Sequence, residues 1–191
     1  MNIANVIPFD SGNARGLSVA VFVSGCEHHC PECHNPETWN FDYGVPIGYK
    51  IEEIIKALDN PHIKNLVLTG GDPMHPKNID DVMCLLTNLQ PILKKYNQQV
   101  IIYTGYLIEE LTMRTGIDKE ITKYILEYST YVIDGKYDKD EKPQILDYRG
   151  SLNQHCWKLS DDKTYFKNVS KMYFKETWPE DTAFINTRCL L

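Results

Sequence analysis

Leu17-Ser-Val-Ala-Val-Phe-Val-Ser24 runs directly into Gly25-Cys26-Glu-His-His-Cys30-Pro-Glu-Cys33. The first eight residues carry no charge, are rich in apolar and β-branched side chains, and stop at a glycine, which reads as a buried strand. Two later segments repeat the arrangement. Asn65–Thr69 (NLVLT) closes on Gly70–Gly71, and Gln99–Thr104 (QVIIYT) closes on Gly105; Tyr131–Ile133 gives a short fourth strand. Between them, Ile51–Leu58 has apolar residues at helical spacing and stops near Asn60–Pro61. Ile79–Tyr96 repeats the pattern through Val82, Met83, Leu85, Leu86 and Leu89, with Pro91 expected to kink or divide it. Lys119–Tyr128 is a further helix.

Strands alternating with helices predict an α/β fold with a parallel sheet and right-handed crossovers. Such sheets take their ligands beyond the carboxyl ends of the strands. The cysteines, Gly70–Gly71 and Gly105 each follow a strand, so they are expected on one rim. Beyond about residue 135 the pattern weakens: Asp134–Lys142 is polar and loop-like, and Cys156–Leu191 has scattered aromatics without a period.

The bulk properties narrow the field. A chain of 191 residues suits one domain, residues 1–191, with 155–191 left as a C-terminal extension without readable chemistry. Hydrophobic residues at 42% and charged residues at 24% describe a globular protein rather than a disordered one. The net charge of -6, without a long Lys/Arg block, argues against nucleic-acid binding. No basic stretch followed by an apolar run opens the chain, and no apolar run has the length of a membrane span. The expected location is the cytoplasm, where six cysteines point to metal or redox chemistry before disulfides.

Cys26, Cys30 and Cys33 have the spacing C-x3-C-x2-C. One short loop cannot bury three thiols as packing residues, so they are read as metal ligands. Structural zinc takes four ligands and usually draws on a second cysteine pair, which is missing here. His28, His29 or His34 would complete a Cys3His zinc site, the interaction-module alternative. An iron–sulfur cluster normally takes four cysteines, so three leave one iron open to an outside ligand. Downstream, Thr69-Gly70-Gly71-Asp72-Pro73 offers glycines that let a ligand approach the backbone, and acceptors for an ammonium group in the strand-end carbonyls and the Asp72 carboxylate. In isolation such a segment is an ordinary turn. Cys84 lies on an apolar helix face and reads as a small hydrophobe; Cys156 and Cys189 read as free thiols.

The three-cysteine spacing at the end of the first strand resembles the signature of the radical S-adenosylmethionine (SAM) superfamily. Within it, a run of segments resembles the activating proteins of anaerobic (class III) ribonucleoside-triphosphate reductases. These are Ser24–Cys26, His34–Trp39, Gly70–Pro73, Tyr103–Tyr106, Asp134–Tyr137 and Arg149–Gln154, in that order. The resemblance runs from about Asp10 to Gln154. Asp72 stands where the wider superfamily has Glu, and Asp10–Arg15 matches only loosely, so Arg15 receives no role.

The resemblance implies a partial, open (β/α) barrel and a 4Fe–4S cluster on Cys26, Cys30 and Cys33 with one open iron. It implies SAM bound by Glu32, Cys33, His34, Gly70, Gly71 and Asp72, with no catalytic side chain beyond the cluster ligands. Trp39 and Tyr103 would either shield the site or simply pack, and Asn153 and Gln154 would help hold cofactor or partner. The implied activity is reductive cleavage of SAM that places a glycyl radical on the reductase, fed by an electron donor such as a flavodoxin. The alternative within the superfamily is an activator of another glycyl-radical enzyme. Replacing Cys26, Cys30 or Cys33 singly with Ala is expected to abolish cluster assembly and SAM cleavage together, whereas changes at Cys84, Cys156 or Cys189 spare both. Iron content and methionine release measure it; a Cys33→Ala protein cleaving SAM at the wild-type rate would refute the ligand assignment.

Overall fold

The computed structural model describes residues 1–142, 148–170 and 184–186. The strands are β1 (Asn2–Asp10), β2 (Ser18–Val23), β3 (Val45–Pro46), β4 (Asn65–Gly70), β5 (Gln99–Tyr103), β6 (Tyr131–Asp134), β7 (His155–Leu159), β8 (Tyr165–Asn168) and β9 (Phe184–Asn186). The helices are α1 (Ile51–Leu58), α2 (Ile79–Lys95), α3 (Ile108–Thr112) and α4 (Gly116–Tyr128). Among the described residues the strands form one sheet in the order β3-β1-β2-β4-β5-β6-β7-β8-β9.

The parallel sheet expected from the sequence is the centre of this sheet rather than the whole. β2, β4, β5 and β6 pair in parallel. β1 and β3 on one flank, and β7, β8 and β9 on the other, are antiparallel. The flanks escaped the sequence reading because their alternation is broken. β1 has a burial pattern with bulges against β2, and β7 and β8 mix Lys and His with aromatics. Residues 155–168 therefore continue the sheet instead of forming an appendage.

Side-chain alternation on the four central strands separates two apolar clusters. Val19, Val21, Leu66, Leu68, Val100, Ile102 and Val132 face the helices, meeting Ile54 and Leu58 of α1, Leu85 and Leu89 of α2, and Ile125 of α4. Ala20, Val67, Ile101 and Ile133 point the other way, where Ala14, Cys156 and Val169 join them. The described helices thus cover one face only. Pro91 neither ends nor divides α2, which runs unbroken through it. Both Pro91 and Thr87 are exposed, so the carbonyl that loses its amide partner faces water. No helix among the described residues is long and apolar enough to cross a membrane.

Leu68 is fully buried in the middle of the helix-facing cluster. Leu68→Ala is expected to lower unfolding stability by about 3 kcal/mol, through lost transfer energy and the cavity left behind. Urea denaturation of the two proteins without metal measures it.

Candidate functional site

All four parallel strands end on one cavity of about 330 Å³. Its wall includes Cys26, Cys30 and Cys33 after β2, Gly70, Gly71 and Asp72 after β4, Thr104 and Gly105 after β5, and Gly135–Tyr137 after β6. The shared rim inferred from the sequence is therefore present.

The cysteine loop has little regular structure of its own and is tied down from outside. Gly25 N–H donates to Thr38 O at 2.7 Å and Cys26 N–H to Trp39 O at 3.3 Å, so the His34–Trp39 segment folds back over the start of the loop. Asn78, 1% exposed, donates its side-chain amide to the carbonyls of Ser24, Gly25 and Asp72. His29 and Glu32, the residues just before Cys30 and Cys33, hold φ of 50° and 57°. These left-handed turns are uncommon for residues with a side chain, and they bend the loop around its sulfurs.

Glycine allows the rim elements to touch. A Cβ on Gly25, where φ is 100°, would lie 2.2 Å from the Phe41 ring. A Cβ on Gly71 would lie 2.8 Å from Gly25 O and 3.0 Å from Thr38 O, and one on Gly105 would lie 2.3 Å from the His28 ring. Gly71 was expected to make room for a ligand. The residue lines the cavity, and its missing side chain also makes room for the backbone of the cysteine loop.

Burial pushes the Cys26 thiol up to about 11, with the carboxylate of Asp72 and the neighbouring thiols adding to the effect and the His28 amide opposing it. Burial likewise raises Cys30, against a hydrogen bond from the Tyr137 backbone. Cys33 Sγ accepts from Asn35 N–H at 3.5 Å. A metal held by these thiols would require loss of their protons, so its uptake and proton release would be coupled.

The sequence-designated residues divide. Cys33, His34, Gly70, Gly71 and Asp72 line the cavity with Cys26 and Cys30. Glu32 does not belong to that lining: its carboxylate is 71% exposed and pairs with Lys139 at 3.4 Å. Trp39 and Tyr103 line the cavity, and both also pack. Trp39 lies 4.7 Å from the His29 ring, and the Tyr103 hydroxyl reaches the carbonyls of Asn13 and Tyr148 across the cavity. Gln154 lines the cavity too, but its amide is spent on Gly150 N–H, Ser151 N–H and Gly135 O. Asn153 donates to Lys136 O. Cys84 is exposed rather than packed on the helix's apolar face, Cys156 is buried, and Cys189 lies outside the described residues.

The sequence reading missed Gly12, Asn13 and Tyr148, which line the cavity, gave Arg149 no role of its own, and did not anticipate the contact of His28 with Asp72. Asp10 offered a local signal for the first pair. Its carboxylate accepts from Gly12 N–H and from both amides of Asn13, which is the turn an Asp-Ser-Gly-Asn sequence favours.

Among the described residues, no three His, Cys, Asp or Glu side chains converge on a single-ion site. Three thiols instead border one cavity, whose described lining contains no fourth cysteine. Soft thiolate donors in that number suit an iron–sulfur cluster with one iron left for an outside ligand.

This geometry defines a thiol-rimmed α/β protein, and the comparisons with known proteins agree. A family model described as a 4Fe-4S single cluster domain matches residues 12–157. The chain is 35% identical over 168 residues to a Pasteurella multocida protein named anaerobic ribonucleoside-triphosphate reductase-activating protein, covering 84% of this chain and 99% of the relative. A Haemophilus influenzae protein of the same name is 36% identical over 165 residues, 83% and 100% of the two chains. The Enterobacteria phage T4 protein of that name is 33% identical over 162 residues, 84% and 96%. The chain belongs to this family of 4Fe–4S-domain activating proteins.

Because the Gly71 Cβ would meet only backbone atoms, they must shift if it is added. Gly71→Ala is expected to lower iron bound per chain after anaerobic reconstitution to less than about half of wild type, a modest case of the loss seen when metal-site supports are disturbed. Full iron content would show that the loop tolerates the displacement.

Proposed function

We propose that this protein activates an anaerobic ribonucleoside-triphosphate reductase by placing a glycyl radical on it, with Cys26, Cys30 and Cys33 holding a 4Fe–4S cluster and SAM bound beside them. The observation that carries the reading is the cavity at the carboxyl ends of β2, β4, β5 and β6, where three thiols meet a glycine-rich rim. The relatives' shared name supplies the protein substrate. That name favours the reductase over other glycyl-radical enzymes, and the match to a 4Fe-4S domain leaves the Cys3His zinc module without support.

Held by Cys26, Cys30 and Cys33, the cluster would supply the electron for reductive cleavage of SAM, the chemistry from which hydrogen abstraction at one glycine of the reductase would follow. The protein's share is orientation and the exclusion of competing reactions. Hydrogen bonds from Gly25, Cys26 and Asn78 hold the thiol loop against the rim. Cys33, His34, Gly70 and Gly71, on the same wall as the thiols, are assigned to SAM. The exposed carboxylate of Glu32 is a weaker candidate for that role.

The reading includes a partial, open barrel within a single domain spanning residues 1–191, with which helices on one face of the central strands are compatible. A flavodoxin-type carrier is the proposed electron donor and the cytoplasm the proposed location; nucleic acid and membrane have no part in the reading.

Mixed anaerobically with SAM, a strong reductant and its cognate reductase, the protein is expected to produce an organic radical on the reductase, seen as a doublet in the paramagnetic-resonance spectrum. Replacing the receiving glycine with Ala should abolish the doublet. Cleavage of SAM without any radical on the cognate reductase would retain the SAM chemistry and overturn the proposed substrate.

A further inference from the structure

Asp72 is 1% exposed, and its two oxygens are fully engaged within the chain. Oδ1 accepts from Met74 N–H at 2.8 Å and from the Thr104 hydroxyl at 2.9 Å. Oδ2 accepts from Gly105 N–H at 3.0 Å and lies 2.7 Å from His28 Nε2. An ionised carboxylate offers about four acceptor positions. All four are taken, so an incoming ammonium would have to strip a buried donor of its partner, which is costly.

The donors come from three places: the turn after β4, the end of β5, and the cysteine loop. His28 is the loop's contribution, two residues from Cys26 and two from Cys30. Its ring is packed between neighbours. It meets the Tyr106 ring edge to face at 4.6 Å and sits so close to Gly105 that a Cβ there would overlap it. Tyr106 is backed in turn by the Arg114 guanidinium, 5.0 Å from the ring, which donates to Met74 O and the Thr122 hydroxyl. The carboxylate, the ring and its backing form a continuous brace from β5 and α4 to the middle of the thiol loop.

We propose that Asp72 is a positioning residue. Through His28 it fixes the Cys26–Cys30 segment in the shape that receives the cluster, and it does not itself accept the ammonium of SAM, a role left to the backbone of Thr69–Gly71 on the cavity wall. The inference rests on the functional reading above and changes the part Asp72 plays in it.

The test reconstitutes the full chain with iron and sulfide without oxygen and compares wild type with Asp72→Asn, His28→Leu and His28→Gln. Three quantities are read: iron per chain, the rate of iron loss to a chelator, and SAM affinity per cluster. The last is followed by the change that SAM causes in the paramagnetic-resonance spectrum of the reduced cluster. Asp72→Asn and His28→Leu are each expected to speed iron loss on the order of 10-fold or more, the scale on which outer-shell partners of metal ligands act. His28→Gln keeps a side-chain N–H donor and is expected to recover most of the retention. In chains that still hold the cluster, SAM affinity should stay within about 2-fold of wild type, since no contact to SAM has been removed.

A cluster-loaded Asp72→Asn protein whose SAM affinity falls more than about 10-fold, the mark of a lost charge-assisted contact, overturns the proposal whatever its iron retention. If that variant does not fold, His28→Leu decides alone: wild-type iron retention overturns the proposal, and fast loss with normal SAM affinity supports it. A wild-type protein that takes up no iron refutes the parent reading instead, so the two failures are distinguishable.

Discussion

A loop that carries three sulfurs within eight residues cannot hold itself together. It has too few backbone partners of its own, and each thiolate it will present repels the others. The structure answers with a bracing of the loop by neighbours distant in sequence, made possible because parallel strands deliver their carboxyl ends to the same place. Asn78 collects the carbonyls of Ser24, Gly25 and Asp72; Thr38 and Trp39 collect the amides of Gly25 and Cys26; Asp72 collects His28. Glycines stand at the close approaches: a Cβ on Gly71 would meet the backbone of Gly25 and Thr38, one on Gly25 the Phe41 ring, and one on Gly105 the His28 ring. Sheet order, glycine placement and thiol presentation are therefore parts of one constraint.

The same bracing sets the chemistry of the thiols. Taking Cys26 out of water beside the Asp72 carboxylate favours the neutral sulfur, and burial has the same effect on Cys30. Any metal bound through these sulfurs would have to displace their protons, so its uptake would depend on pH.

The central half of this architecture was legible in the sequence because buried parallel strands carry an unmistakable signal. LSVAVFVS, NLVLT and QVIIYT are apolar on both faces and stop at glycine, and the observed strands lie within a residue or two of these bounds. Family-like segments such as Thr104–Gly105 and Asp134–Gly135 could be placed at strand ends for the same reason. β1, β7 and β8 were not legible, because an antiparallel flank with Lys, Asn and His among its apolar residues has no clean period of two. In the site, residue types were readable and partnerships were not. His28 is separated from Asp72 by 44 residues, and Tyr103 from Asn13 by 90, distances over which a single sequence records no pairing. Gly71 is the instructive case: a permissive residue was recognised, but only the coordinates reveal that its vacancy is filled by Gly25.

The two faces of the sheet are finished in different materials. One is sealed by α1, α2 and α4, whose packed side chains give the molecule much of its cohesion. The other meets Ala14 from the β1–β2 loop, Tyr148 and Val169, all drawn from connecting segments. Cohesion is thereby assigned to one side of the sheet and loop-borne cavity lining to the other, because the loop that brings Ala14 also brings Asn13 to the cavity wall, and Tyr148 reaches it as well.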